Sequence, residues 1–435
     1  MLVCTVIDEL SKEATQSIDM YTTSTPRILC YFFCQARHEN LNNATAVLRG
    51  LIYLLLDKQK SLETHIPHTY SHSGKRLLED TNAWVVLSQM LRNMLLDPDL
   101  QYTTFIIDAL DECETELPDL LDLIVQLIPI APNVKLLLSS RKKPDIYQRL
   151  NSHTCPTMKT LNLEDEANSS DISNAVNVYI NERILDIPVL RADISLRAKV
   201  HRQLKEKANG TYLWIGLVIQ ALQKATRWKV SKVINDMPKG LNQLYGYMFE
   251  QIMDHDEETV EYCIAVLSAI GIAYRPLHLK ELVAISRIPP AEFEHLDVVE
   301  TLLKFCGSFL TIKDQYVFVI HQSAHEFLIA KQKDGIFLNG IRSAHHNFFM
   351  GSIEIMSKTL RRDVYGLDNW GISADKVEVP STDPLQAVRC SCVHWTDHLA
   401  EGEPGGHLHE NSLADDGITS PQIPLRALPP LARST

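Results

Sequence analysis

The sequence predicts an α/β region followed by an all-α region, and three observations support this prediction. Residues 104–107 are β-prone without alternation of polar and apolar side chains, which is typical of a parallel strand buried on both faces. Amphipathic helix patterns and further strand patterns flank this run. From Ser170 onward the periodicity is that of helices, apart from one predicted hairpin.

The chain opens with a predicted amphipathic helix, because Val3, Ile7 and Leu10 fall on one helical face while Asp8 and Lys12 lie away from it.

A core strand is then predicted over residues 27–34. Asn42 and Asn43 are candidate caps of the helix that follows, and large apolar residues at helical spacing predict a second helix over about 80–96. These apolar residues are core positions and not a cofactor site.

Three carboxylates, Asp108, Asp111 and Glu112, follow the β-prone run within five positions. In open α/β sheets the carboxyl ends of the strands are where ligands bind. An Asp there can hold Mg²⁺, and a neighbouring acid can orient a water for attack on a phosphate. The pattern hhhhDxxDE is therefore a candidate Walker B motif, with Asp108 as the metal ligand and Asp111 and Glu112 placing the water. The alternative is a strand that ends in solvated turn acids.

A helix over 118–128 and a strand over 133–141 follow, so the order β, α, α, β, α, β predicts right-handed crossovers and a parallel sheet. Arg141 ends the predicted strand over 133–141, at the position where the sensor arginine of a P-loop NTPase reaches a γ-phosphate. We expect a short helix and a last strand over 158–163, with the α/β region ending near residue 165.

Helices are predicted next, including one over 171–185, with a break at Gly210. Helices and a β-hairpin over 309–320 then suggest a winged helix. Winged helices often bind DNA, but the acidic composition disfavours that role.

After residue 340 we expect an apolar helical face that includes Phe348, and a helix over 384–399. His345 and His346 point to different faces and make a poor metal pair. Beyond Glu401 we expect disorder, and no repeat period is visible.

Several motifs resemble one family: DALDEC, the strand ending SSR, YFFCQ, NGTYLWIGLV and VIHQSAHEFL. In this order they resemble the fungal NACHT proteins, nephrocystin-like members of the STAND class of P-loop NTPases that are related to heterokaryon-incompatibility proteins. The resemblance covers roughly residues 1–400.

The resemblance implies a truncated P-loop NTPase sheet in residues 1–165, a helical lid domain in 166–255 and a winged-helix domain in 256–340. A C-terminal helical segment in 341–400 and a tail in 401–435 follow. It implies ATP or ADP, with GTP as the alternative, together with Mg²⁺. His321 matches the family histidine that contacts the diphosphate in the closed state; the alternative is an ordinary histidine at a strand end.

The Walker A pattern GxxxxGK[ST], whose backbone N–H groups and lysine cradle phosphates, is absent from the 435 residues. Ser73-Gly74-Lys75-Arg76 lacks the hydroxyl after the lysine. We expect either a truncated gene model or fragment, or loss of the main phosphate contact. Enzymatic activity is therefore open: the parent family hydrolyses ATP or GTP, and here nucleotide binding and hydrolysis are expected to be weak or lost.

Two functions follow from the resemblance. The first is a nucleotide-dependent signalling switch in fungal self/non-self recognition, with nucleotide and other NACHT chains or signalling proteins as partners. The second is a degenerate, non-enzymatic module that acts as a protein-interaction or regulatory scaffold.

Composition bounds the remaining functions. A formal net charge of −12 disfavours a nucleic-acid-coating surface, and nine cysteines without a CxxC pair suit buried thiols in a reducing compartment. The start MLVCTVIDEL does not fit a signal peptide, and no apolar run reaches the length of a membrane span. We therefore expect a cytoplasmic protein without a membrane partner.

Overall fold

The computed structural model describes residues 2–16, 27–38, 40–66, 83–151, 159–163, 165, 168–208, 210–293, 295–331, 335–337, 339–367, 372, 377, 379–380 and 383–402. The chain divides into two compact units, Met1–Asn162 and Leu163–Thr435. The predictions for Ser73-Gly74-Lys75-Arg76, for the first turn of the helix over 80–96 and for the tail beyond residue 402 lie outside the described residues.

The first unit contains a parallel three-stranded sheet in the order β1-β2-β3, so that β2 is central. Its strands are β1 (Arg27–Phe33), β2 (Tyr102–Asp108) and β3 (Val134–Leu138). Its helices are α1 (Leu2–Gln16), α2 (Ala44–Lys58), α3 (Ala83–Leu95), α4 (Leu117–Leu127) and α5 (Pro144–Asn151). The predicted order of strands and helices and the parallel sheet are thereby confirmed.

Strand β2 is buried on both faces, as its continuous apolar character predicts. Ile106 packs with Val3 and Ile7 of α1, whereas Phe105 and Ile107 belong to the larger core formed with α2, α3 and α4. The central strand is thus fixed by side chains on both sides, which sets the position of the residues at its carboxyl end.

The predicted last strand over 158–163 is wrong for the residues that the structure describes. Residues 159–163 form no strand, and Leu161 and Leu163 are exposed. An alternating pattern shows that a segment suits a strand, but it does not supply the neighbouring strand whose N–H and C=O groups it must pair.

The second unit begins with six helices, confirming the predicted change of periodicity. They are α6 (Ser169–Ile184), α7 (Pro188–Ala192), α8 (Ile194–Ala208), α9 (Tyr212–Gln223), α10 (Arg227–Asp236) and α11 (Leu241–Met253). The predicted break between α8 and α9 is present, with Gly210 at a φ of +75°.

A small antiparallel sheet follows, in the order β4-β6-β5. The chain runs through α12 (Glu257–Ile272), β4 (Leu277–His278), α13 (Leu279–Ser286), α14 (Leu296–Phe305), β5 (Leu310–Lys313) and β6 (Tyr316–Val319). The predicted hairpin is confirmed as the β5–β6 pair.

Three more helices complete the unit: α15 (Gln322–Ala330), α16 (Ile341–Thr359) and α17 (Arg389–Gly402). As predicted, His345 and His346 face differently, since His345 is buried and His346 is exposed. Helix α17 begins later than the predicted residue 384, because the Asp383 carboxylate accepts hydrogen bonds from the Leu385 N–H and from Arg389 and thereby holds residues 384–388 in turns.

A buried carboxylate attaches α17 to the small sheet. Glu281, 1% exposed, accepts two hydrogen bonds from Arg275, at 2.7 and 3.1 Å, and one from the His278 N–H at 2.9 Å. The Cys390 N–H, in the first turn of α17, also donates to it at 2.8 Å. The Glu281 side chain therefore accepts four hydrogen bonds from three residues of the second unit.

A pair of buried histidines attaches α17 to α16. The Nδ1 atoms of His345 and His398 are 2.9 Å apart, and the His398 ring stacks on Phe348 at a centroid distance of 3.6 Å. Burial, with the nearby His345 and His394, lowers the pKa of His398 to about 3. This contact therefore belongs to the neutral imidazole.

Among the residues described, no helix combines the length and apolar character needed to cross a membrane.

Candidate functional site at the end of the central strand

The chain turns sharply where β2 ends. Ala109 adopts a φ of 54°, in the left-handed region, and a short 3₁₀ turn over Leu110–Glu112 follows at once. This change of direction places the carboxylates of Asp108, Asp111 and Glu112 within one turn of each other at the carboxyl edge of the sheet. The structure thus brings together three of the predicted site residues.

Asp108 is held by the neighbouring strand's end. The Ser139 hydroxyl, just after β3, donates to Oδ1 of Asp108 and accepts the N–H of Ala109 at 2.9 Å. The serine therefore fixes both the carboxylate and the turn that follows it.

Asp111 is paired with Arg141. The residue is 5% exposed, and its carboxylate accepts the main-chain N–H of Arg141 at 2.9 Å and the Nε–H at 2.7 Å. Burial opposes ionisation of Asp111, but these two donors and the guanidinium charge outweigh it and lower the pKa of the carboxyl group. Asp111 is therefore an anion at neutral pH, and half of the Arg141 side chain remains exposed.

Glu112 sits in a different environment. Its Oε2 accepts the N–H of Ala36, in the loop after β1, at 3.2 Å. Burial raises the pKa of Glu112, the Ala36 N–H works against this, and the charges of Asp111 and Asp108 raise it further. Two adjacent acids thus have pKa values shifted in opposite directions, an arrangement typical of sites that transfer protons.

Three groups at this site were not predicted from the sequence: the Ser139 hydroxyl, the Ala36 N–H and Lys143, whose Nζ donates to the Asp111 carbonyl at 2.8 Å. Ser139 follows β3 directly, and its place at a strand end was the signal available for it. Nothing in the sequence pattern marks Ala36, because a backbone donor carries no residue-type signature.

His321 lies in the second unit, between β6 and α15. Its Nδ1 accepts the N–H of Ser323 at 3.1 Å and lies 2.8 Å from the Ser323 hydroxyl, so the imidazole caps α15. The role predicted for His321 at a diphosphate stays a prediction.

Mg²⁺ prefers carboxylate oxygens and phosphate oxygens and is usually held by one or two carboxylates. No cluster of three or more His, Cys, Asp or Glu side chains suited to a metal occurs among the described residues. Asp108, oriented by Ser139 at the sheet edge, fits the protein's share of such a site. The phosphate-cradling loop has no counterpart in the 435 residues.

The residues that form the parallel sheet and the acidic turn after β2 also match a known family. Residues 1–141, from α1 to Arg141, match the family described as Nephrocystin 3, N-terminal. The chain is also 39% identical over 416 residues to the vegetative incompatibility protein HET-E-1 of Podospora anserina.

That alignment covers 92% of this chain and 30% of the relative, so the chain spans about a third of that protein's length. Together the two matches confirm the resemblance seen in the motifs: the chain is similar to the fungal NACHT-type proteins related to heterokaryon incompatibility.

Proposed function

We propose that the chain is the core of a STAND-type nucleotide-dependent switch that acts in fungal self/non-self recognition. The observation that supports this most is the arrangement at the end of β2, where Asp108 is oriented by Ser139 and Asp111 holds Arg141. ATP or ADP with Mg²⁺, or GTP in their place, is the ligand that this arrangement suits.

The roles of the site residues follow from their contacts. Asp108 contributes an oxygen to Mg²⁺, and the half-exposed Arg141 meets the γ-phosphate. Asp111 keeps its predicted place in the water-positioning pair, and its bonds to Arg141 add a second task, the orientation of the guanidinium. Glu112, with its raised pKa, accepts the proton of an attacking water more readily than Asp111 does.

In this proposal the lid and the regulatory winged helix lie in the second unit. We assign helices α6–α11 to a lid in 166–255. The order α12-β4-α13-α14-β5-β6, with a β4-β6-β5 sheet, supports a winged helix in 256–340 that regulates the switch. His321, already positioned by Ser323, contacts the diphosphate of the closed state. We place the protein in the cytoplasm with other NACHT chains or signalling proteins as partners.

A scaffold without nucleotide chemistry is the second candidate, and it is favoured by the burial of Asp111, whose two carboxylate oxygens both bond Arg141. In that function the chain packs against other NACHT chains and hydrolyses nothing.

Isothermal calorimetry with ATP, with and without Mg²⁺, separates the two. The switch predicts Mg²⁺-dependent binding that falls at least about tenfold in Asp108→Asn, because a metal ligand loses its charge. The control, Asp119→Asn, removes one charge from an exposed position on α4 and leaves binding unchanged. Absence of heat with every nucleotide, together with nucleotide-independent self-association, supports the scaffold instead.

A further inference from the structure

Positive charge is concentrated in one part of the second unit that the proposed nucleotide site does not use. Residues 191–239 contain eleven lysines and arginines and only three acids, whereas the whole chain has a formal net charge of −12. Such asymmetry within an acidic chain marks a surface for a negatively charged partner.

Helices α8 and α10 carry most of this charge and lie side by side. Arg227, at the start of α10, pairs with Asp193, just before α8, at 2.6 Å. At the other end, the Nζ of Lys207 donates to the carbonyl oxygen of Ile234 at 2.8 Å. The two helices therefore run in the same direction in one layer.

Both helices bury their inner sides in the same core, through Val200 and Leu204 on α8 and through Val230 and Ile234 on α10. Their outer sides therefore form one continuous surface. The exposed cations on it define what we call the basic face: Lys199, Arg202, Lys205, Lys229 and Lys232. None of these five forms an ion pair with another described residue, so their charges are available to a partner.

Two large apolar side chains stand out from the same end of this surface. Trp228 is 78% exposed and Ile194 is 71% exposed, and each is adjacent in sequence to a member of the Asp193–Arg227 ion pair. A hollow of about 650 Å³ opens there, lined by Val189, Ala192, Asp193, Ile194, Ser195 and Arg227. Exposure of a tryptophan and an isoleucine costs free energy in water, and it is relieved when an apolar medium covers them.

We propose that the basic face is a peripheral membrane site that binds the surface of an anionic lipid bilayer, with Trp228 and Ile194 entering the headgroup region. Lysines and arginines attract acidic lipids, and tryptophan settles at the membrane–water boundary. The expectation of no membrane partner rested on the lack of a spanning segment, and a surface contact needs none.

A bilayer suits this surface better than a nucleic acid does. A phosphate backbone is contacted by cations and by stacking aromatic rings, and an exposed isoleucine gains nothing from either. An anionic bilayer provides acidic headgroups for the cations of both helices and, at the same time, apolar surface for Trp228 and Ile194.

The test is sedimentation of the full chain with phosphatidylcholine vesicles that contain either no acidic lipid or about 30% phosphatidylserine. We expect binding to the acidic vesicles only, weakened by salt because exposed charges are screened. Tryptophan fluorescence should shift to shorter wavelength on binding, and Trp228→Phe should abolish the shift.

Charge reversal sharpens the test. The Lys229→Glu/Lys232→Glu double variant should weaken binding at least about tenfold, since each cation near an acidic surface contributes about a fivefold factor. The control, Lys304→Glu/Lys313→Glu, makes the same change of net charge at exposed positions outside the basic face and should bind as the parent does. Circular dichroism verifies that both variants fold.

Equal loss in both double variants overturns the proposal, because only net charge would then matter. Binding to short DNA but not to acidic vesicles also overturns it and assigns the basic face to nucleic acid. Failure of the parent to bind acidic vesicles at low salt rejects the membrane site, whatever the calorimetry with ATP shows.

Discussion

Each unit contains a buried carboxylate paired with an arginine, and the two pairs differ in what surrounds the arginine. Glu281 is matched by Arg275, whose side chain is only 19% exposed, and by two main-chain donors from separate elements. Asp111 is matched by Arg141, whose side chain is 50% exposed. The first pair is closed and ties the fold together, whereas the second presents a cation to solvent at a sheet edge, where ligands bind.

The largest expected effect separates the two pairs by stability. Glu281→Gln should cost about 3–5 kcal/mol, because it leaves the charge of Arg275 buried and unpaired. Asp111→Asn should cost only about 1–2 kcal/mol, since Arg141 can turn to water. Both costs are measured by unfolding in urea, with amide hydrogen exchange as the readout because it reports on each unit separately. Glu250→Gln, at an exposed site on α11, is the control, and equal costs for the two buried acids would contradict the comparison.

The stability of the second unit should also depend on pH, through a histidine on α17, the helix that Glu281 holds. His398 is neutral in the fold because its pKa is lowered to about 3. The unfolded chain takes up a proton near pH 6.5 and the folded chain does not, so stability is lost as the pH falls from about 6.5 toward about 3. The slope for this one group approaches about 1.4 kcal/mol per pH unit. The measurement is the free energy of unfolding of the second unit across this range.

His398→Phe should flatten that slope, because phenylalanine keeps the stacking on Phe348 and does not titrate. His346→Phe, at an exposed position, serves as the matched control and should keep the slope. A slope that survives in His398→Phe would assign the pH dependence to other groups.

The smallest expected change in stability is at the candidate site at the end of β2. Ser139→Ala should cost about 1 kcal/mol, since the Asp108 carboxylate and the Ala109 N–H both lose a partner. Ser140→Ala removes an exposed hydroxyl bonded to the Arg141 carbonyl and should cost close to nothing. Thermal unfolding compares the two, and equal costs would show that Ser139 does not hold the strand end.

Much of the first unit was predictable, because the sequence of β2 is a run of β-prone residues followed directly by acidic residues. The strand order followed from alternation of strand and helix patterns, and α2 begins after Asn43, whose side chain accepts the Ala46 N–H. The carboxyl edge of the sheet was predictable for the same reason.

What the sequence did not provide were contacts between distant residues. The start of α17 depends on the Asp383 carboxylate, and the burial of His345 depends on His398, 53 positions away. Arg141 was predicted at the site from its strand, but its bond to Asp111 needed the geometry of two strand ends. Side-chain pairing across the chain carries no local periodicity, so patterns cannot reveal it.

The Glu281 junction also bears on how the protein is made. Its last hydrogen-bond donor, the Cys390 N–H, lies 109 residues downstream. Until Cys390 has left the ribosome, this carboxylate has its arginine and one main-chain donor but lacks the Cys390 N–H. This junction of the second unit is therefore completed only after the first turn of α17 has been translated, and a nascent chain halted earlier exposes an unfinished junction to the cell's quality control.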